Sequence, residues 1–281
     1  MSLLPEETQL LNLISRNDVN GLHAHLQLHP DLNINCLDAS GSAPLHHAAL
    51  HGGREVVTMI LSNPRVYSNK RDNAGNAPIL VAVSAGNLGA FRALLGDQRV
   101  DVGLQDVSKR TPLWIAAYRG DLSMVRWLIA SDRPFNPNRK GKSGNQDYTP
   151  EVIAMARGHN GVASLLDRYV KDPKETRLWV KCELGLLADQ VPHLYALLLF
   201  YCDGLLRLKA NDAVVPAGVD LGKLSRIRRF FSVGAKLPLE LQMVLCYRAC
   251  GSFGDTILSA DSEKAFKDLA ASLMEAAPSS A

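Results

Sequence analysis

A spacing of 34 residues separates three copies of one short motif in this 281-residue chain. The same interval relates sets of prolines, aspartates and glycines, namely Pro44, Pro78 and Pro112; Asp38, Asp72 and Asp106; and Gly52, Gly86 and Gly120. A period of this length is typical of repeat architectures, in which each repeat contacts its neighbours. The spacing therefore favours a stack of repeats over a single globular core in this part of the chain.

Each copy predicts a helix–turn–helix unit. The copies open with Ala43-Pro44-Leu45, Ala77-Pro78-Ile79 and Thr111-Pro112-Leu113. Proline suits the first position of a helix, and the glycine eight residues later is expected to end that helix in a left-handed turn. A second apolar-periodic segment follows each glycine. Such a unit cannot bury its own apolar face, so stacked units share one core.

Two further units are less regular. Thr149-Pro150, followed by Gly158, comes 38 residues after the third copy, which indicates a four-residue insertion within residues 138–147. Segment 7–36 is interpreted as a degenerate first unit, with Leu10 and Ile14 on one short helix. The chain therefore predicts about five units.

The recurring pattern resembles the ankyrin repeat, whose motif is Thr-Pro-Leu-His-x-Ala at a period near 33. His46 keeps the motif histidine, which links neighbouring loops in that family, whereas Leu80, Trp114 and Val152 replace it. The resemblance implies an all-α ankyrin-repeat solenoid over residues 1–170, and looser loop junctions where the histidine is lost. Because the period ends at a charged, proline-containing segment, we expect a small helical carboxy-terminal domain over residues 171–281.

The resemblance also implies where a partner binds. Ankyrin repeats hold partners on their concave side, with the loop tips and the ends of the first helices. Carried over position by position, the candidate partner-binding residues are Leu50, His51, Asn76, Ser84, Lys109, Arg110, Tyr118 and Arg119. Tyrosine and arginine are enriched in interface hot spots, so the third copy suits an acidic segment of a protein partner. In the alternative interpretation, Arg110 and Arg119 are solvated surface charges and Tyr118 packs against the next repeat.

Charge and hydropathy argue against nucleic acid and membrane as partners. The net charge of +3 is too small to indicate a nucleic-acid-binding face. The most apolar stretch, residues 194–206, is shorter than the roughly 20 residues of a membrane span and contains Asp203. Five cysteines without a C-x-x-C pair, behind an amino terminus that lacks a signal-peptide pattern, predict a cytoplasmic protein with reduced thiols. Cys246 and Cys250, four residues apart on one predicted helix face, are interpreted as core thiols, with a metal-binding pair as the alternative.

Catalytic and cofactor motifs are absent from the sequence. No H-E-x-x-H, G-x-S-x-G or G-x-G-x-x-G occurs, and Gly141-Lys142-Ser143 only imitates the end of a P-loop because Asn136 stands where its first glycine belongs. His47 and His51 have a metal-ligand spacing, but Glu55, the nearest acidic residue, lies beyond a Gly-Gly break. We therefore expect no catalytic residue, no cofactor and no metal.

The carboxy-terminal part offers several interpretations. Helices are predicted over residues 177–188, 193–210, 221–232, 238–249 and 262–276. The run Leu237-Pro238-Leu239-Glu240-Leu241 resembles the start of an F-box, and the Leu-x-x-Leu-Ser-Arg pattern of residues 221–226 resembles a SOCS box. Both imply an alternative function as the substrate receptor of a ubiquitin ligase. Otherwise this part is a helical cap over the last repeat or, as a third interpretation, carries a spatially assembled catalytic site. The favoured function is a protein-binding scaffold without catalysis.

Overall fold

The computed structural model describes residues 3–187 together with six isolated positions, Leu194, Leu197, Gln242, Met243, Leu245 and Cys246. Its contacts divide the chain into one unit over Met1–Leu178 and another over Trp179–Ala281. Within the first unit, helices follow one another in five pairs, which confirms the all-α solenoid of about five repeats. The pairs are α1 (Pro5–Ser15) with α2 (Val19–Leu28), α3 (Pro44–His51) with α4 (Arg54–Leu61), α5 (Pro78–Ala85) with α6 (Leu88–Gly96), α7 (Pro112–Arg119) with α8 (Leu122–Ala130), and α9 (Pro150–Ala156) with α10 (Asn160–Lys171).

The first helix of each pair, here called the inner helix, begins at a proline. The residue before that proline is extended, as at Thr111 (φ −86°, ψ 165°), whose hydroxyl oxygen accepts a hydrogen bond from the backbone N–H of Trp114 at 3.2 Å. The outer helices α2, α6 and α8 are capped instead by the carboxylate or amide oxygens of Asp18, Asn87 and Asp121. Each cap satisfies a backbone donor that has no partner inside its helix.

The predicted left-handed ends occur at Gly86 and Gly120, with φ of 75° and 74°. The same prediction is wrong for Gly52, which is extended at φ −76° and ψ 149°. Adjoining repeats supply the hydrogen bonds there: the carbonyl of Gly52 accepts from Asn87 Nδ2 at 2.7 Å, and the N–H of Gly53 donates to Asn17 Oδ1. These bonds hold the linker straight without a local turn.

Inner helices stack on inner helices and outer helices on outer ones, as in the pairs α3–α5, α5–α7, α7–α9, α4–α6 and α6–α8. The recurring alanines lie at the inner contacts, where Ala48, Ala82, Ala116 and Ala154 are at most 2% exposed. Small side chains let neighbouring backbones approach closely. The motif alanine therefore recurs because every inner helix meets another one across it.

Two arginines 34 residues apart, Arg99 and Arg133, join successive repeats, a role that their sequence pattern does not indicate. The guanidinium of Arg99 donates to the carbonyls of Leu61, Asn63 and Pro64, at the end of α4. Arg133 binds the carbonyls after α6 in the same way. The last carbonyls of a helix lack intrahelical partners and carry the negative end of its dipole. Arg99 therefore ties its repeat to the end of α4, and Arg133 ties its repeat to the loop that follows α6.

The insertion between the third and fourth motif copies forms a hairpin of β1 (Gly141–Ser143) and β2 (Gln146–Tyr148), paired antiparallel with Lys142 opposite Asp147. The backbone N–H of Lys142 donates to the carbonyl of Ser108 at 2.9 Å. The hairpin therefore lies beside the loop tip of the preceding repeat.

The segment after α10 differs from its prediction. Only Asp172 interrupts the helices, and α11 runs over Pro173–Glu183, four residues earlier at its start than predicted. Asp172 Oδ1 accepts a hydrogen bond from the N–H of Glu175 at 2.9 Å, and proline suits the first helical position, so the predicted break acts as a helix start. None of the helices among the described residues is both long and apolar enough to cross a bilayer.

The other predicted carboxy-terminal helices, over 193–210, 221–232, 238–249 and 262–276, lie outside the described residues apart from the six isolated positions. The F-box-like run of residues 237–241 and the SOCS-box-like pattern of residues 221–226 lie outside them too. The ligase interpretation therefore stays a prediction.

Candidate functional site

Two aromatic rings and two guanidinium groups form a continuous stack, here called the aromatic–arginine stack. The guanidinium carbon of Arg110 lies 5.9 Å from the centre of the Trp114 ring. The rings of Trp114 and Tyr118 are nearly parallel, with centres 5.4 Å apart, and the guanidinium carbon of Arg157 lies 4.0 Å from the Tyr118 ring. The stack connects the loop tip of one repeat, the end of α7 and the end of α9.

Helical periodicity explains the centre of this stack. Trp114 and Tyr118 are four residues apart on α7, so their side chains lie on the same helix face. Trp114 is 1% exposed, and its Nε1–H donates to the carbonyl of Tyr148 at 2.8 Å. Tyr118 is half-buried. Trp114 is therefore the buried ring of the stack, and Tyr118 is the ring that is partly open to solvent.

Arg110 holds the loop tip together. Its Nε–H donates to Asp106 Oδ2 at 2.6 Å, while Asp106 Oδ1 accepts from the backbone N–H groups of Ser108 and Arg110. The Asp106 side chain is only 2% exposed, whereas that of Arg110 is 38% exposed. A buried carboxylate is costly unless paired and hydrogen-bonded. Arg110 therefore stabilises the tip besides contributing charge to its surface.

Lys109 has an unusual backbone conformation. Its φ of 59° lies in the left-handed region, and glycine occupies the equivalent tip positions at Gly41 (φ 74°) and Gly75 (φ 80°). At those glycines a Cβ atom would lie 2.3 Å from Asn73 Oδ1 and 2.8 Å from Val107 Cγ1, respectively. A side chain in this conformation costs on the order of 1–2 kcal/mol. The loop tip before the third motif copy, here called the third tip, is therefore strained at Lys109, whose side chain is an exposed cation.

The remaining predicted site residues divide into two groups. Arg119 is exposed and donates from Nη1 to the carbonyl of Ser84 at 2.8 Å, so these two candidates meet at the ends of α7 and α5. Leu50 is 45% exposed and His51 is exposed, but no hydrogen bond, ion pair or ring contact among the described residues joins either to the stack. Asn76 is half-buried, and its carbonyl accepts from His46 Nε2 at 3.1 Å.

Two cations missed by the sequence analysis lie beside this site. Arg157, directly after α9, stands seven residues after the opening proline, as Arg119 does in α7, so the positional rule that identified Arg119 would also have found it. Lys142 is exposed on β1, and its backbone is bonded to Ser108. An insertion carries no repeat register, so only the structure could place it.

Five residues define what we call the tip surface: Lys109, Tyr118, Arg119, Lys142 and Arg157. Its four cations are exposed. Among the described residues, no carboxylate oxygen lies within 4.0 Å of any of them. The tip surface therefore combines a half-buried ring with positive charge that is not neutralised by a direct ion pair.

The histidines near the first full motif have structural partners. His47 Nε2 contacts Asp38 Oδ2 at 2.8 Å. Burial alone would raise the pKa of Asp38, but hydrogen bonds from Ser40, Ser42 and His47 outweigh it and bring that pKa to about 2. Burial also lowers the pKa of His46. Within the part of the chain that the structure describes, no group of three or more His, Cys, Asp or Glu side chains could hold a metal ion.

Comparison with known proteins agrees with this geometry. The family model described as ankyrin repeats (3 copies) matches residues 11–106 and 79–176, which together exceed half of the chain. A segment of 31 residues is 55% identical to Ankyrin repeat and SAM domain-containing protein 1A of Homo sapiens, and covers 11% of this chain and 3% of that protein. A segment of 30 residues is 60% identical to Ankyrin repeat and sterile alpha motif domain-containing protein 1B of Danio rerio, and covers 11% of this chain and 2% of that relative. The matches thus span only a few per cent of these relatives.

Proposed function

This chain belongs to the ankyrin-repeat family, and we propose that it is a non-catalytic, cytoplasmic protein-binding scaffold whose tip surface holds an acidic segment of a partner protein. Ankyrin repeats are generally protein-interaction modules, and solenoids use extended surfaces to bind. The observation that carries the finer proposal is the set of four exposed cations on the tip surface, none of which has a carboxylate oxygen within 4.0 Å among the described residues, with Arg157 lying against the half-buried ring of Tyr118. We also propose that this binding array ends near residue 170 and that residues 171–281 form a separate helical part.

The positive charge of the tip surface favours an acidic partner segment. Guanidinium groups bind carboxylates through paired, charge-assisted hydrogen bonds, and Arg119 and Arg157 lie at equivalent ends of adjacent inner helices. Complementary charge also steers association and disfavours basic partners. A segment rich in Asp or Glu therefore matches the tip surface better than a neutral or basic one.

The ordered state of Tyr118 supports binding as well. Its ring contacts both the indole of Trp114 and the guanidinium of Arg157 before any partner arrives. A side chain that is already ordered loses less entropy when a complex forms, and tyrosine is a frequent hot-spot residue. Tyr118 is therefore the proposed anchor, with the cations setting orientation.

The proposal is tested with the full chain and a displayed library of random peptides. We expect the selected peptides to be enriched in Asp and Glu, and their affinity to fall as salt is added because exposed charges are screened. Fluorescence anisotropy with a labelled selected peptide then gives Kd for the wild type and for charge-reversed variants.

Lys109→Glu and Arg119→Glu are each expected to raise Kd by about tenfold or more. Arg65→Glu is the matched control, because Arg65 is exposed, makes no ion pair among the described residues and lies beyond the end of α4. It should change Kd by less than about twofold. Selection of peptides without acidic enrichment, or equal losses in all three variants, would contradict the proposal.

A further inference from the structure

A groove of about 500 Å³ lies between the outer helices α4 and α6, and none of its lining residues belongs to the tip surface. We call it the outer groove. Arg54, Thr58 and Ser62 line one wall, and Arg92 and Gly96 line the other. A Cβ atom built on Gly96 would meet nothing within 4 Å, so the groove is open at that point.

Two arginines give the outer groove its charge. Arg54 and Arg92 both line it, and neither has a carboxylate oxygen within 4.0 Å among the described residues. Partial burial and the like charge of Arg54 lower the pKa of Arg92. Asp97 also lines the groove, but its carboxylate is held by Arg99 at 2.6 Å. The two lining arginines therefore share a cavity whose acidic residue is already engaged.

One of these guanidinium groups lies over an aromatic ring. The guanidinium carbon of Arg92 lies 3.9 Å from the centre of the Trp127 ring, on the neighbouring outer helix α8. Stacking on a ring uses the face of a guanidinium and leaves its in-plane N–H groups available as donors. Arg92 is therefore preorganised to bind an oxyanion at its edge.

The two hydroxyl groups that line the groove already donate their hydrogens within the protein. Thr58 Oγ1 already donates to the carbonyl of Arg54 at 2.8 Å, and Ser62 Oγ donates to that of Met59 at 2.6 Å. Each hydroxyl has a single hydrogen to donate, so the guanidinium groups and the side-chain amide of Gln98, which also lines the groove, supply the side-chain donors. Two such cations match the charge of a phosphate monoester, which carries about −1.5 to −2 at neutral pH and has three acceptor oxygens.

We propose that the outer groove binds a phosphate monoester group through Arg54 and Arg92. The group is either that of a phosphorylated protein side chain or a free phosphate. This site does not depend on the tip surface and uses none of its residues.

Titration of the 281-residue chain with three probes tests the site: inorganic phosphate, a short peptide with one phosphoserine, and the same peptide without phosphate. Calorimetry gives Kd, and the change in indole fluorescence is assigned to Trp127 by its loss in Trp127→Phe. We expect both phosphate probes to bind and the unmodified peptide not to bind. Tighter binding of the phosphopeptide identifies a phosphorylated protein as the source, and equal binding identifies free phosphate.

Arg54→Ala and Arg92→Ala are each expected to weaken phosphate binding about tenfold, a typical effect of removing one charge-assisted contact. Arg92→Lys keeps the charge but loses the planar fork, and should fall between wild type and Arg92→Ala. Arg139→Ala, an exposed position near the hairpin, is the control and should bind as wild type does. Absence of binding by both phosphate probes, or an equal loss in the control, overturns the proposal. Thermal melting verifies that each variant is folded.

Discussion

Two loop junctions make the same hydrogen bond with different side chains. His46 Nε2 donates to the carbonyl of Asn76 at 3.1 Å, and Trp114 Nε1 donates to that of Tyr148 at 2.8 Å. Both acceptors lie two residues before the proline that opens the next inner helix. Looser junctions were expected where the motif histidine is replaced, yet at Trp114 the indole N–H supplies the equivalent hydrogen bond between repeats.

His46 and Trp114 differ in the other contacts that their side chains make. His46 Nδ1 accepts the backbone N–H of Ala43 at 3.1 Å, which involves the residue that stands in place of the capping threonine. An indole has no acceptor nitrogen, and Thr111 caps the helix of Trp114 instead. His46 therefore bonds both to its own repeat, at Ala43, and to the next repeat, at Asn76. Trp114 keeps only the bond between repeats, but its ring also stacks against Tyr118.

The largest expected effect is at Trp114. Trp114→Ala should lower the free energy of unfolding by about 3–5 kcal/mol, because it removes a fully buried ring and leaves a cavity. His46→Ala should cost about 1–3 kcal/mol, mainly through unsatisfied polar groups. Urea denaturation followed by circular dichroism measures both. Equal losses at the two positions would show that the shared hydrogen bond, and not the ring, dominates each junction.

Arg110→Ala should cost about 2 kcal/mol, because the buried carboxylate of Asp106 loses its guanidinium partner. The same denaturation experiment on Arg119→Ala is the control. Arg119 is exposed, so its removal should cost no more than about 0.5 kcal/mol. If Arg110→Ala is as mild as the control, Arg110 is a surface charge, as the alternative sequence interpretation holds.

Lys109→Gly should raise the free energy of unfolding by about 1 kcal/mol, because glycine adopts the left-handed conformation without strain. Gly75→Ala is the opposite change at the equivalent tip and should be destabilising, since its Cβ would meet Val107 Cγ1 at 2.8 Å. Thermal melting of both variants compares the two tips. No gain from Lys109→Gly would mean that the third tip stores no strain.

The smallest expected effect is on the free energy of unfolding at acid pH. The pKa of Asp38 is lowered to about 2 in the folded state, below the value near 3.9 of an unfolded chain. Its contribution is therefore present above about pH 4 and is lost as the pH falls towards 2. Wild type should lose more stability over that interval than Asp38→Asn, as measured by urea denaturation at each pH. Parallel pH profiles of the two proteins would contradict this linkage.

The repeating units were predictable because their signals are local. Proline at the helix start and alanine at the inner contact recur at 34 residues whatever the surrounding structure does. Arg99 and Arg133 share that spacing, yet surface arginines recur for many reasons, so the interval did not reveal that they bind carbonyls of the preceding repeat. Gly52 shows the converse, because bonds from adjoining repeats replaced the turn that its sequence favours.

The amino-acid sequence by itself determined the class of fold, the number of repeats and most helix starts, because each depends on residues only a few positions apart. Tertiary structure alone decided that Arg157 stacks on Tyr118, that an indole replaces an imidazole between loops, and that Lys142 lies beside the third tip. Those contacts join residues about 34 or more positions apart in the chain. They arise only when stacking buries the shared apolar faces and brings successive repeats together.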